Sequence, residues 1–454
     1  MRLRSARLAE KLSLWCVTAL WVVQPLWQHR VLRHRIPEAV FFEFHDFILY
    51  TSDLFWGIAL GTWLLSRRLK RAQSAWQLGP RFLSVLLYTL ILLSFVSVPG
   101  AAGSTYAAYQ SLRLFLLLAV YVMTLNLPIT PAPIASALAA STVLQAVIAL
   151  LQFALGHSLG LGWLGEVTVD AEGAGASVVM AGNARWLRGY GLTQHPNLLG
   201  GCLMVFLLLI AGYYLGQPGK QRIPLLAVLG LGLAGLLTTF SRSAWLGAAT
   251  GGGIMLALLA LPSFRQEQPP DRKAVFLLIA IALGTAISFA AIHWPLLETR
   301  LGLARQGVEI RSVEERSSLA AGAWALIRQR PLLGVGPGNF STALYWLSPE
   351  TVAAYPIYQP VHNVALLATA ELGILGGALW LGLMATPWLA LCLARRQLRM
   401  TPWLAGLSGA LAALAVVSWL DAYVWSSHQG RLLQWLVWGF WSRAWNNARK
   451  ETCQ

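Results

Sequence analysis

Glu314-Glu-Arg-Ser317, then Arg330-Pro-Leu-Leu-Gly-Val-Gly-Pro-Gly-Asn-Phe340, and finally His362-Asn363 belong to one long stretch, from about Trp294 to Asn363. It is the only long segment in the second half of the chain too polar to cross a membrane. Immediately afterwards the chain becomes apolar again. A polar loop hung between apolar helices, with a histidine where the chain re-enters the bilayer, suggests a site at a membrane surface.

Composition agrees. Of 454 residues, 57% are hydrophobic and only 11% charged, whereas a soluble domain carries roughly a quarter charged residues. The chain cannot cover its surface with charge and reads as an integral membrane protein. Its 21 tryptophans fit, because tryptophan collects at headgroup level. The net charge of +16 does not point to nucleic acid. The basic residues sit in short clusters between apolar runs and form no single binding face. Cys16, Cys202 and Cys392 lie in apolar runs and Cys453 in the tail, without metal-ligand spacing. The first apolar run follows Arg2, Arg4, Arg7 and Lys11 and lacks a convincing small-residue cleavage site, so it reads as an uncleaved helix.

A span needs about 20 mostly apolar residues. By that measure the chain is an all-α polytopic membrane protein, a single membrane domain over residues 1–454 with about twelve transmembrane helices. They fall at roughly 12–28, 47–66, 81–98, 109–127, 131–155, 197–216, 223–240, 243–262, 274–293, 363–394, 402–422 and 429–446. The stretch 363–394 exceeds one crossing and calls for tilt or a break near Gly376-Gly377. Basic clusters lie at Arg2 to Lys11, Arg67/Arg68/Lys70/Arg71, Lys220/Arg222, Arg265/Arg272/Lys273, Arg395/Arg396/Arg399 and Arg443/Arg449/Lys450. The positive-inside rule then puts both termini in the cytoplasm.

Two long loops, 156–196 and 294–362, are expected outside, with the short turn at Ser241-Arg242. In the first, the Gly/Ala-rich stretch Asp170 to Gly182 reads as mobile. Gln266 to Asp271 reads as a short cytoplasmic linker. In the second loop, Leu319, Ala323 and Leu326 have helical spacing. An amphipathic helix is therefore expected between Glu314 and Gln329, ended by Pro331.

Four places have the residue types for chemistry. Arg188 to Asn197 (Arg-Gly-Tyr-Gly-Leu-Thr-Gln-His-Pro-Asn) precedes a span, and a helix N-terminus attracts anions; alternatively Arg188 anchors at headgroups and His195 is an ordinary loop residue. Arg242 sits in a tight turn between two apolar helices, where a charge is costly unless it is paired or reaches water; snorkelling to lipid phosphates is the plainer reading. Arg311 and Arg316 precede the segment Gly334-Val-Gly-Pro-Gly-Asn339, which lacks the lysine and following helix of a nucleotide-binding loop. Its glycines let the loop pack closely. His362 opens a helix and suits a general base, or else simply caps that helix. Glu371, two turns along, needs a partner inside an apolar span.

With the termini inside, Arg188, Arg242, Arg316 and His362 come from three loops on the same outer face. Arginine forks bind phosphate oxygens bidentately, so a pyrophosphate leaving group suggests itself, with the histidine activating an incoming hydroxyl. Outer acidic residues form no convincing metal site, and arginines can offset leaving-group charge without one. No metal and no cofactor are expected. A serine-hydrolase motif of the Gly-x-Ser-x-Gly type is missing.

At these residues the chain resembles the O-antigen ligase family, related to O-antigen and exopolysaccharide polymerases and to bacterial protein O-oligosaccharyltransferases. The resemblance rests on Arg188, Gly191 and His195-Pro-Asn197, on Ser241-Arg242, and on Arg316 with Trp324, Pro331, Gly334 and Gly336. His362-Asn363 with Glu371 and Gly373 completes it. It covers roughly 185–380, the region expected to be catalytic. The stretch from Asp421 to Trp425, with Gln429-Gly-Arg431, also fits many members, with no role attached.

The resemblance implies a lipid-linked-oligosaccharide-dependent glycosyltransferase. It would move a glycan from an undecaprenyl-pyrophosphate carrier to an acceptor (lipid A-core, another surface acceptor or another lipid-linked glycan) at the periplasmic face of a bacterial inner membrane. The implied mechanism is inverting and metal-independent. His362 would be the base; Arg188 and Arg242 would bind the pyrophosphate. Arg316, His195 and Asn197 would line the same substrate site. Two alternatives stand beside this one. A polymerase would use a second carrier-linked glycan as acceptor, and a putative bicarbonate transporter would bind its substrate near the midplane.

Overall fold

The computed structural model describes residues 2–35, 40–70, 76–262, 264, 270–303, 307–347 and 358–450, with side chains except at 307–313 and 450. Arg71, Arg265, residues 266–269 of the linker and Cys453 lie outside the described residues, as does the side chain of Arg311. The first half runs α1 (Arg2–Val23), β1 (His29–Arg33), β2 (Phe47–Tyr50), α2 (Thr51–Lys70), α3 (Arg81–Val96), α4 (Ser104–Asn126) and α5 (Pro131–Leu155). Then come β3 (Val178–Ala181), β4 (Ala184–Leu187), α6 (Pro196–Leu215), α7 (Arg222–Thr238), α8 (Arg242–Ala260) and α9 (Arg272–Ile292). The rest is α10 (Trp294–Arg300), α11 (Gly307–Gln329), α12 (Phe340–Leu347), α13 (Val364–Ala394), α14 (Pro402–Leu420), α15 (Tyr423–Ser426) and α16 (His428–Lys450).

Eight of these helices, α4 to α9, α13 and α14, are long and apolar enough to cross a membrane by length and composition. The other four expected spans correspond to α1, α2, α3 and α16. Of these, α3 is only 16 residues long, and the rest are more polar. Phe276, Leu283, Ile287 and Ile292 of α9 are exposed, an apolar surface that suits lipid and not water.

Small residues set the packing around α14. A Cβ on Gly251 of α8 would come within 2.5 Å of the Gly409 carbonyl oxygen, and one on Gly212 of α6 within 2.9 Å of the Gly406 Cα. Such close approach is how helices associate where no hydrophobic force separates protein from lipid. It brings the end of α14 and the starts of α6 and α8 to the same end of the bundle.

The long helix α13 is broken, at Gly373 (φ 74°, ψ −176°) and not at Gly376-Gly377. The cause lies forty residues earlier. Residues 331–336 lie against the break: Val335 N–H donates to the Ala370 carbonyl at 2.9 Å, and Gly336 N–H to that of Glu371 at 2.9 Å. The Pro331 carbonyl accepts from Ile374 N–H at 2.9 Å. Backbone groups that a break exposes inside a bilayer need partners of this kind. A Cβ on Gly334 (φ 65°) would sit 2.4 Å from the Glu371 carbonyl carbon, and one on Gly373 2.0 Å from the Leu332 oxygen. The glycine run thus serves as a clasp on a split helix.

The expected amphipathic helix exists but starts earlier, at Gly307. Leu319, Ala323 and Leu326 are buried and Trp324 is 55% exposed; Pro331 follows its end. The Asp170–Gly182 stretch is more ordered than its composition suggests. Val178–Ala181 pairs with Ala184–Leu187 in an antiparallel hairpin, and Ala171, Val178, Leu187 and Tyr190 form a small apolar core.

Candidate active site

The loop carrying Arg188 is held by two glutamines of α5. Gln152 Oε1 accepts from Tyr190 N–H at 3.0 Å and Gly191 N–H at 2.8 Å, while its Nε2 donates to the Gly191 carbonyl at 3.0 Å. Gln145 Oε1 accepts from Leu192 N–H at 2.8 Å. Both glutamines are fully buried. They satisfy backbone groups that would otherwise be stranded, and so fix the irregular chain between β4 and α6.

From there a chain of polar contacts crosses the site. Arg188 Nε donates to the Thr239 carbonyl at 2.6 Å, and its Nη2 donates to Asn197 Oδ1. Asn197 Nδ2 donates to Asp421 Oδ2 at 2.8 Å. Asp421 Oδ1 accepts from Ala422 N–H at 2.8 Å and lies 3.3 Å from His362 Nδ1. Burial pushes the Asp421 carboxyl up, but the hydrogen bond from His362, its charge and the Ala422 N–H outweigh this. They hold the group well below the usual carboxylate range. His362 keeps 22% of its side chain exposed. With Nδ1 turned to a carboxylate, its Nε2 is the nitrogen available to take a proton.

His195 is placed differently. Its Nδ1 accepts from Asn197 N–H at 3.1 Å, capping α6, and its Nε2 faces Ser177 Oγ at 3.1 Å. Burial, then the Arg188 charge, lowers its pKa to about 3, against the opposing pull of Asp421. The neutral ring thus caps α6 and reaches Ser177.

Arg242 opens α8. Its Nη1 donates to the Arg300 carbonyl at 3.2 Å, and Arg300 Nε donates to the Phe240 carbonyl at 2.8 Å. Arg316 lies on α11 and lines a groove of about 620 Å3 with Ala320, Trp324, His362, Leu366 and Trp419. The groove continues along α13 past Thr369, Gly377 and Leu381. Its lining is mostly apolar, with Arg316, His362 and Asn363 as its most polar members. Glu371 finds the partner its position demands in Trp425, whose Nε1 donates to Oε2 at 2.9 Å.

All six residues singled out from the sequence therefore gather at one end of the bundle. Arg188, Asn197 and His362 are joined through Asp421, and His195 caps the helix that carries Asn197. Arg242 lies in the turn whose Thr239 carbonyl accepts from Arg188, and Arg316 lines the same groove as His362. Asp421, Arg300, Gln145 and Gln152 were not assigned roles from sequence. The glutamines did leave a signal: amides seven residues apart inside an apolar helix. Among the described residues, no group of three His, Cys, Asp or Glu side chains is placed to hold a metal ion.

Fold and site together define a multi-pass helical membrane protein with arginines and a His–Asp pair at one end of its bundle. Residues 226–381, about a third of the chain, match the family model described as O-antigen ligase, and this match supports the O-antigen ligase family for that segment. The matched segment contains Arg242, Arg300, Arg316 and His362; Arg188, His195, Asn197 and Asp421 lie outside it. No curated protein matches the chain. The family indicates glycosyl transfer of the O-antigen ligase or polymerase type.

Proposed function

We propose that the protein transfers a glycan from an undecaprenyl-pyrophosphate carrier to an acceptor hydroxyl at the outer face of a bacterial inner membrane, with both termini in the cytoplasm. The observation that carries this reading is the His362–Asp421 pair, joined to Arg188 through Asn197, with His362 lining a largely apolar groove that Arg316 also lines. A substrate that is apolar at one end and multiply anionic at the other matches that layout.

His362 Nε2 takes the proton of the acceptor hydroxyl as its oxygen forms the new bond to the anomeric carbon. The bond from that carbon to the pyrophosphate oxygen breaks on the opposite face, so configuration inverts. The carrier leaves with its electron pair and charge, which Arg188, Arg242 and Arg316 offset, so the step needs no metal. Asp421 holds the imidazole in orientation and stabilises the imidazolium that forms.

Ligase and polymerase share this step and differ in the acceptor, which is a lipid A-core or other surface glycan in one and a second carrier-linked glycan in the other. Bicarbonate transport fits less well, because Arg188, Arg242, His362 and Asp421 lie at helix ends. The test is transfer from a purified polyprenyl-pyrophosphate glycan by the full-length protein in lipid nanodiscs. His362→Ala is expected to abolish transfer while carrier binding persists. Wild-type turnover in that variant would remove His362 as the base.

A further inference from the structure

The end of the bundle that carries the His362–Asp421 pair also holds a cleft of about 640 Å3 that the proposed chemistry does not use. One wall is the β1–β2 ribbon, with the residues entering it and the first turn of α2; the other is the turn at 162–167. The ribbon wall is aromatic. The half-buried His29 ring lies 4.5 Å from Trp27 and 5.4 Å from Phe42, nearly parallel to the latter at 23°. His29 Nδ1 is 3.0 Å from the Trp27 carbonyl. A carbonyl only accepts, so the proton sits on Nδ1 and Nε2 is left as an acceptor. Arg30 also lines the cleft; it is exposed, and among the described residues its side chain has no partner.

The opposite wall is held firmly. Glu166 is buried and accepts from Gln152 Nε2 and Leu159 N–H at 2.7 Å each, and from Leu161 N–H at 2.6 Å. Gln28 Nε2 crosses the cleft to donate to the Trp163 carbonyl. Gly165 (φ 93°) allows the two walls to approach, since a Cβ there would sit 2.8 Å from Gln28 N. A cleft whose walls are fixed to each other costs a ligand little ordering.

Two contacts join this cleft to the active site. Trp27 N–H donates to the Leu192 carbonyl at 2.8 Å, and Gln152, which holds Glu166, also holds Tyr190 and Gly191. Leu192 stands three residues before His195, at most about 11 Å of extended chain. The same 27–50 segment also reaches towards the base, because Val40 bridges to Tyr358, four residues before His362. The cleft therefore neighbours the reacting centre without including it.

The lining has the chemistry of a sugar site. A pyranose has an apolar C–H face, which packs on rings and aliphatic side chains, and a rim of hydroxyls that both donate and accept. His29, backed by Trp27, and Leu54 supply the first kind of surface. The planar fork of Arg30, which matches two adjacent oxygens, supplies the second with His29 Nε2 and Gln28 Oε1. A lipid tail would strip these polar groups of water and leave them unpaired. Resting on the transfer reading, we infer that this cleft is a glycan subsite. It holds a sugar residue a few units from the reacting carbon, so that chain length is recognised away from the site of chemistry.

The test measures transfer by the full chain in nanodiscs, with polyprenyl-pyrophosphate donors and with acceptors that each carry either a single sugar or an oligosaccharide. The wild type is expected to have the lower KM for the oligosaccharide in one of the two series. Arg30→Ala removes the fork, and Gly162→Trp fills the cleft from a position where a Cβ meets nothing within 4 Å. Each should lower the preference for oligosaccharide over single sugar by about 3- to 10-fold, the scale of one hydrogen bond. The change should fall on KM and not on kcat, at an unchanged thermal midpoint. If one variant fails to fold, the other decides. A shift in the donor series places the donor's glycan in the cleft and a shift in the acceptor series the acceptor's, and either supports the assignment. Folded variants that keep the wild-type preference in both series overturn it. So does an equal loss on short and long substrates, the pattern of a structural defect or of a lipid headgroup in the cleft. A wild type without length preference also overturns it, whereas a wild type that transfers from no donor sinks the transfer reading itself.

Discussion

Replacing Asp421 by asparagine removes one charge and almost no volume. In the structure the carboxylate is 5% exposed and is bound by three groups, Ala422 N–H, Asn197 Nδ2 and His362 Nδ1. An asparagine side chain has one oxygen: set where Oδ1 lies, it keeps both Ala422 N–H and His362 Nδ1, and the NH2 then takes the place of Oδ2. There it meets the Asn197 amide, which would have to flip and give up Arg188. The substitution also removes the charge that stabilises a protonated His362. A hydrogen bond to a charged group is worth about 1.5–3 kcal/mol, which corresponds to a loss of about 10- to 150-fold in kcat. The 3.3 Å separation and the partial exposure of His362 place the effect in this range and below the ~10⁴-fold seen when a shielded His–Asp pair loses its carboxylate. The assay is single-turnover transfer of a labelled glycan from saturating carrier, with carrier affinity measured separately. The rate should fall while affinity for the carrier changes little. Full turnover in a folded Asp421→Asn protein would refute the assigned positioning role.

Two further outcomes concern stability. Gly373→Ala forces a Cβ to within 2.0 Å of the Leu332 oxygen at φ 74°, so a loss of at least 1–2 kcal/mol is expected, read as a lower thermal midpoint in detergent; an unchanged midpoint would contradict the clasp. Glu43, buried beside Gln194, has its carboxyl raised from 4.5 to about 7 by burial, against the hydrogen bond from Gln194 and the charge of Arg431. Folding therefore favours its protonated form. That contribution is fully present below about pH 4.5 and is lost as pH rises through 7, an amount of about 3 kcal/mol. Thermal unfolding between pH 4.5 and 8 should show the wild type losing stability relative to Glu43→Gln, and parallel curves would count against it.

Much of the site was legible because charge and histidine stand out against an apolar chain. Arg188, Arg242, Arg316 and His362 could be assigned to one face by counting spans, with no knowledge of packing. Asp421 was visible too, at the end of an apolar run, but its meaning depends on His362, 59 residues away. Arg300 was hidden for the opposite reason: in a loop already rich in arginine, nothing local marks the one that reaches the Phe240 carbonyl. The helix break was expected from length alone and misplaced by three residues. Two adjacent glycines are the stronger local signal, yet the position is set by where residues 331–336 lie. The ordered hairpin within 170–187 escaped for a similar reason, since its strands are four residues each and their Gly-rich lead-in suggests no structure.

The clasp on α13 also bears on how the chain enters the membrane. As a free segment, the first part of α13 would offer the Ala370 and Glu371 carbonyls to lipid with nothing to receive them. Their partners, Val335 and Gly336, lie earlier in the sequence and so leave the ribosome first. The 331–336 segment is therefore already waiting when α13 arrives, and the split helix can be completed as it inserts. Moving that segment to the C-terminal side of α13, as a circular permutation would, reverses the order and exposes the break for as long as its partner is missing.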